Sequence, residues 1–371
     1  MKVLVAGDFV PLNRTAVQIE SGDYRCLEAV KPLTSQCDYS IVNLESPIVD
    51  GEAEAIDKTG PNLKCHKNAM EAIQQAGFNC VTLANNHFYD YGDKGVLDTL
   101  SACKNWNIDF VGGGKNIEEA ETILFKNFGE HSLALINFCE NEWSIATEKT
   151  GGSAPYHLIH NTKNIQEAKK QADYVLVIVH GGTERYSLPT PRMKETFRYF
   201  VEQGADVVVN HHQHCYSGYE VYQNKPIFYG LGNFCFDKND AADDSWNTGY
   251  VVILDFSDSK IQFQLLPYIQ GRETPEINFI NNPETFFANI QHLNLIIDDE
   301  KALKTAFEKM ATSNINLLNV FEPYNNKLFR FLQNKTIIPK TFTNEKKKLI
   351  LDLFRCEAYR DVLFYLLQNK H

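Results

Sequence analysis

The chain has 371 residues, of which 43% are hydrophobic and 22% charged, with a net charge of −11. That balance belongs to a folded globule with a sizeable core, as two domains or one large domain with an appendage, and excludes a disordered chain. The acidic surplus also argues against a nucleic-acid-coating face, which needs basic residues to neutralise phosphate.

The opening MKVLVAGDFVP is a short apolar run stopped by Gly7-Asp8, so Lys2–Ala6 reads as a core strand and not as a signal peptide. No apolar stretch reaches the roughly 18 residues of a membrane helix, and a cytoplasmic protein is expected. The nine cysteines are scattered with no CxxC pair and read as small buried hydrophobes of a reducing compartment.

Further along, Tyr39–Leu44 and Cys80–Ala84 are predicted strands, with helical spacing over Tyr24–Val30, Asn68–Ala76 and Gly95–Trp106. Phe110–Val111 runs into the Gly112–Gly114 turn. Strands follow at Ser132–Phe138, Tyr174–His180 and Val207–Val209, and a helix at Arg192–Gln203 is closed by Gly204. This alternation indicates an α/β sheet. From Tyr216 the pattern changes: Tyr216–Tyr222, Ile227–Gly230, Tyr250–Phe256 and Ile261–Leu266 read as antiparallel hairpins. Together these halves suggest a two-sheet sandwich with outer helices. Pro275–Pro283 reads as a linker, and Glu284–Ala311 and Lys346–Gln368 carry helical periodicity. The tail aromatics Phe329, Phe331, Phe354, Tyr359, Phe364 and Tyr365 read as helix-packing core. The expected division is a body over 1–270 and a mostly helical region over 271–371.

Polar residues gather where strands end. Asp8 follows the first strand, Asn43 and Glu45 end the second, and Asn85, Asn86 and His87 end the third. His180 ends a later strand, and His211, His212 and His214 end another. Strand C-termini of an α/β sheet converge on one edge, where ligand sites form. Carboxylate, amide and imidazole ligands there suit one or two divalent ions, Mn, Fe, Zn or Mg. Each motif has a plain structural alternative: Asp8 as a turn residue, the NNH triplet as an ordinary loop. Three imidazoles in four positions are harder to explain as structure alone.

The blocks GDFVP, VNLESPI, LANNHFYDYG, HGGTE, the NHHQH run and IFYGLGNFCFD, in this order, resemble the bacterial capsule-synthesis CapA family. That family is similar to the calcineurin-like metallophosphoesterases. The resemblance covers about residues 1–270 and implies a four-layer α/β/β/α sandwich, here with a helical C-terminal extension. It implies Asp8, Glu45, Asn86, His180, His212 and His214 as metal ligands, with Glu45 bridging two ions. It implies His87 as the catalytic residue that contacts a substrate phosphate and donates a proton. Asn43, Asn85, Glu184 and Arg185 are the substrate-contact candidates, and Asp237 or Asp90 the acceptors for the outer ring nitrogens of His180 and His212. The loop Glu140–Gly152 is a candidate rim.

The chain departs from the phosphoesterase pattern at Val10, where a histidine is usual, and in having Glu45 for an aspartate and Asn210-His211 before the histidine block. His211 has no role in the pattern and is expected to face core or solvent. The resemblance implies hydrolysis or transfer at a phosphoester, or action on an acyl or amide bond of a cell-surface polymer, in capsule or poly-γ-glutamate metabolism. Its substrate would be an anionic small molecule or polymer. The alternative is a non-catalytic assembly protein whose metal is structural and whose tail meets membrane-associated capsule machinery.

Overall fold

The structure is a computed structural model and describes residues 1–238, 244–256, 260–314 and 343–368, with Leu317, Phe331, Leu332, Lys335 and Ile337 between them. Two mixed β-sheets face each other. In the first, the strands run in the order Ile277–Phe279, Gln262–Gln270, Thr248–Asp255, Lys2–Phe9, Tyr39–Leu44, Cys80–Thr82 and Asp109–Val111. Asn233–Cys235 also pairs with Lys2–Phe9, in parallel. The order in the second is Tyr219–Tyr222, Lys225–Phe228, Val207–His211, Tyr174–His180, His131–Cys139 and Leu124–Phe128.

Period-two alternation sorts the side chains into layers. Val3, Val5 and Ile41 point inward and pack with Leu135, Leu176, Ile178 and Val209 of the facing sheet. Leu4, Ala6 and Val42 point outward, under Ile73 of the helix Asn68–Gln75 and Val96 and Leu100 of the helix Gly92–Asn105. On the other side Ala134, Val175, Val177 and Val208 lie under Ile165 of the helix Leu158–Gln171 and Phe197 and Phe200 of the helix Pro191–Glu202. The protein is therefore an α/β/β/α sandwich, as expected, and a helical extension follows it. No helix among the described residues is long and apolar enough to cross a membrane.

One expectation is sharpened and two change. The stretch from Tyr216 forms antiparallel hairpins as expected, Tyr219–Tyr222 with Lys225–Phe228 and Thr248–Asp255 with Gln262–Gln270, but divides them between the two sheets. Lys225–Phe228 pairs antiparallel with Tyr219–Tyr222 and parallel with Val207–His211. Thr248–Asp255 instead crosses to the first sheet and lies antiparallel to Lys2–Phe9, where Tyr250, Val252 and Leu254 join the core between the sheets. The supposed linker carries the edge strand Ile277–Phe279, held because Ile277 is buried. Among the tail aromatics, Phe331, Phe354 and Phe364 are each more than half exposed, Tyr365 packs on Phe307, and Phe329 lies outside the described residues.

Gly7 sets the distance between the first strand and the turn before Asn233. A Cβ there would sit 2.0 Å from the Gly232 carbonyl oxygen, a backbone atom that cannot swing aside. Gly7→Ala is expected to cost more than about 4 kcal/mol, the range reserved for severe core defects, read as loss of the denaturant midpoint or of soluble protein.

Candidate metal centre

Register explains why distant residues meet. Asp8 lies beside Asn43, Asn43 beside Thr82, and His211 beside His180 across paired strands. The next residues therefore leave the two sheets at the same level and fill the gap between them.

Two groups of side chains form there. In one, ligand atoms of Glu45, His180 and His212 all lie within 4.8 Å of one another; in the other, those of Asp8, Glu45 and His214 do. Glu45 belongs to both: its Oε1 is 3.4 Å from His180 Nε2 and 3.8 Å from His214 Nε2. His180 Nε2 is also 3.1 Å from His212 Nδ1 and 3.1 Å from the Asn86 amide oxygen. Asp8 Oδ2 is 3.7 Å from His214 Nδ1 and accepts from the His212 backbone N–H at 3.3 Å. All six predicted ligands thus converge.

The residues fit a divalent metal. Both carboxylate oxygens of Glu45 are fully buried and make no hydrogen bond, a costly state for a charged group that receives nothing in return. Burial, with Glu45 alongside, pushes the Asp8 carboxyl up to about 8, against the pull of His214, Asn43 and His212. Burial likewise pushes Glu45 up to about 7, and holds His180 and His212 well below the usual histidine range. Neutral imidazoles and dehydrated carboxylates with inward lone pairs are the donor set that hard and borderline divalent ions take. The backbone is strained to deliver them: His212 has φ +91° and His214 φ +56°, left-handed values that bulky residues rarely adopt.

The neighbours divide into supports and rim. Asn43 donates to Asp8 Oδ1 at 2.7 Å and accepts from Thr82 Oγ1 at 3.0 Å. Asn85 donates to the Leu44 carbonyl at 2.8 Å and accepts from the His87 N–H at 3.1 Å. Both are fully buried, so these two substrate-contact candidates orient ligands and the His87 loop instead. Glu184 and Arg185 are exposed. Partial desolvation raises the Glu184 carboxyl, but His212, His214 and His87, with Arg185, outweigh it and hold it below its ordinary value.

His87 does not join the ligands. Its Nδ1 is 2.7 Å from Asp90 Oδ2, and Lys58 forms an ion pair with the other oxygen of Asp90. This overturns Asp90 as a partner of His180 or His212. Asp237 is overturned too, because it is clamped by Arg14 through both oxygens. In each case a cation from an irregular loop or a helix took the carboxylate first. The outer nitrogen of His212, Nε2, faces Glu142 Oε1 at 3.8 Å. His214 Nδ1 is 2.9 Å from the Asn233 amide oxygen. His211 is buried, with Nε2 3.1 Å from the Ala6 carbonyl, and burial pushes its pKa down to about 3.

Val10, in the position where a histidine was expected, packs with Leu63, Phe236 and Trp246. Trp246 in turn lies 4.9 Å from the His214 ring, with Lys238 and Arg185 over its face at 3.8 Å and 5.5 Å. Lys58, Glu142, Asn233 and Trp246 were missed in the sequence; of these only Asn233 lay in a recognised block, IFYGLGNFCFD. A groove of about 830 Å³ between the helices Pro191–Glu202 and Glu300–Ser313 holds none of these residues.

The chain is 35% identical over 217 residues to the capsule biosynthesis protein CapA of Bacillus anthracis, covering 56% of this chain and 53% of that one. It is 31% identical over 222 residues to the PGA biosynthesis protein CapA of Bacillus subtilis, covering 59% and 58%. This chain thus matches a little over half the length of each relative. Among solved structures, a phosphatase of Mycoplasma pneumoniae aligns with 74% of this chain and 95% of its own, at 14% identity and a TM-score of 0.46. The sequence profile of the family described as bacterial capsule synthesis protein PGA_cap matches residues 2–238, which hold both ligand groups and His87, and the chain belongs to that family.

Proposed function

We propose that the protein is a divalent-metal-dependent hydrolase of phosphoesterase type, acting on an anionic small molecule or polymer in capsule or poly-γ-glutamate metabolism. The observation that carries this reading is Glu45, a buried carboxylate without hydrogen bonds, shared by two imidazole-bearing groups. Asp8, Glu45 and His214 would hold one ion, and Glu45, Asn86, His180 and His212 the other. Bound there, divalent ions supply an activated water and neutralise charge on a phosphoryl group.

The chain's own residues would do the rest. His87 would hold a proton at Nε2 for the leaving oxygen, with Asp90 fixing its other nitrogen and hence its tautomer. Burial, with Lys58, holds the His87 pKa below its ordinary value although Asp90 raises it, and an arriving anion would act in the opposite sense, toward the protonated ring. Arg185 and Lys238 at the mouth would draw in an anion. The relatives' names support a capsule setting, and membrane-associated capsule machinery is the partner this reading proposes.

Elemental analysis of protein reloaded with Mn, Fe or Zn, followed by assay with an aryl phosphate, tests the proposal. Metal uptake with turnover supports it; folded protein that takes up no ion under any loading condition overturns it. The apolar packing of Val10 in place of a ligand favours a second reading, a non-catalytic assembly protein with a structural ion. Uptake of metal with no turnover of phosphate mono- or diesters would support that one.

A further inference from the structure

We propose that Glu142 is a positioning residue for the centre, fixing the His212 ring from outside, and that the C-terminal helices hold the loop that presents it. The inference rests on the metal reading above.

The two nitrogens of His212 face different ways. Nδ1 turns inward to His180 Nε2 at 3.1 Å, and Nε2 faces Glu142 Oε1 at 3.8 Å. An imidazole that gives one nitrogen to an ion carries its proton on the other, and a carboxyl facing that proton, here at ion-pair and not hydrogen-bond distance, favours that tautomer and ring orientation. The flanking side chains are turned elsewhere, His211 to the Ala6 carbonyl and Gln213 to the carbonyls of Tyr186 and Leu188. The His212 ring is already committed by a left-handed backbone at φ +91°, which leaves orientation about its side-chain bonds to its neighbours.

Glu142 belongs to a segment without regular structure, just past the strand His131–Cys139, and could not hold a carboxylate in place unaided. The segment is tied down on both sides. The Asn141 backbone N–H and side-chain amide donate to the two oxygens of Glu357, at 3.1 and 2.9 Å. The Arg355 guanidinium lies over the Trp143 ring at 5.4 Å. One residue earlier, Glu140 accepts from Arg192 at 2.7 Å, and Arg192 also pairs with Asp361. Arg355, Glu357 and Asp361 all belong to the helices Asn344–Arg355 and Glu357–Gln368. A region outside the matched family span of residues 2–238 therefore reaches the centre through the loop that carries Glu142.

Cobalt titration of metal-free protein, followed by the visible absorption of the bound ion, tests this without turnover. Glu142→Ala is expected to weaken the ion held by Glu45, His180 and His212 by about 10- to 100-fold, the usual effect of removing a ligand's outer partner. Glu142→Asp should recover part of that loss, and the ion held by Asp8, Glu45 and His214 should change less. Glu357→Ala, which frees the loop, should shift the same ion in the same direction by a smaller factor. If the alanine variant does not fold, the near-isosteric Glu142→Gln carries the comparison, with an intermediate loss expected. Unaltered cobalt affinity in a folded Glu142 variant overturns the proposal and leaves the metal reading intact. Failure of the unmodified protein to bind cobalt overturns both.

Discussion

Replacing Glu45 with glutamine is expected to release both ions at once. Glu45 is common to the two ligand groups, and its Oε1 lies within 4 Å of both His180 and His214. Glutamine keeps the shape, so packing is spared, but puts a neutral amide where the shared charge was. The metal-free variant should fold at least as well as the parent, because a buried carboxylate without hydrogen bonds is a cost that its removal relieves. Stabilisation by metal should vanish. An ion at 100 times its dissociation constant adds about 2.7 kcal/mol to a protein that binds it only when folded. A thermal melt with and without Mn reads this directly: the parent's midpoint should rise and that of Glu45→Gln should not. A metal-dependent rise of equal size in the variant would show that the ion sits elsewhere.

Replacing His87 with alanine should leave metal binding intact and lower turnover of an aryl phosphate by roughly 10²- to 10⁴-fold, the range for lost proton-transfer catalysis. The ring is held by Asp90 at 2.7 Å, with Lys58 on the far oxygen, and makes no part of either ligand group. A structural role would predict a uniform loss across substrates. A proton donor predicts a loss that shrinks as the leaving group becomes more acidic, because a good leaving group departs without help. Comparing a nitrophenyl with an unsubstituted phenyl ester separates the two. Loss of metal from the variant would assign His87 to the wrong shell.

What could be read from the residues was the strand-end convergence. Asp8, Glu45, Asn86, His180, His212 and His214 each close an apolar run, and strand register then brings them together with no further information. Two kinds of feature stayed out of reach. Short strands set by partners, such as Asn233–Cys235 against Lys2–Phe9, carry no periodicity of their own. Charge pairs across irregular loops depend on which cation arrives. Asp90 and Asp237 were sensible acceptors for ligand histidines until Lys58 and Arg14 claimed them. Glu142 was invisible for the same reason, since its segment offered only a candidate rim. The helix expected at Tyr24–Val30 is a 3₁₀ helix over Arg25–Val30, followed by Pro32, which suits only the first turn of an α-helix.

The clamps on the mouth have a kinetic meaning. Asn141 and Glu357 are 216 residues apart, and Thr59 and Asp352, which meet at 3.4 Å, are 293 apart. Contacts between such distant points carry the largest loop-closure entropy and form late. Pairing at the ligand level mixes near partners, Asp8 with Asn43 and His180 with His211, with a distant one, Asp8 with Asn233, and chains of this size fold in stages. Docking of the C-terminal helices belongs with the late steps, and the loop of Asn141, Glu142 and Trp143 takes its final place only when they arrive.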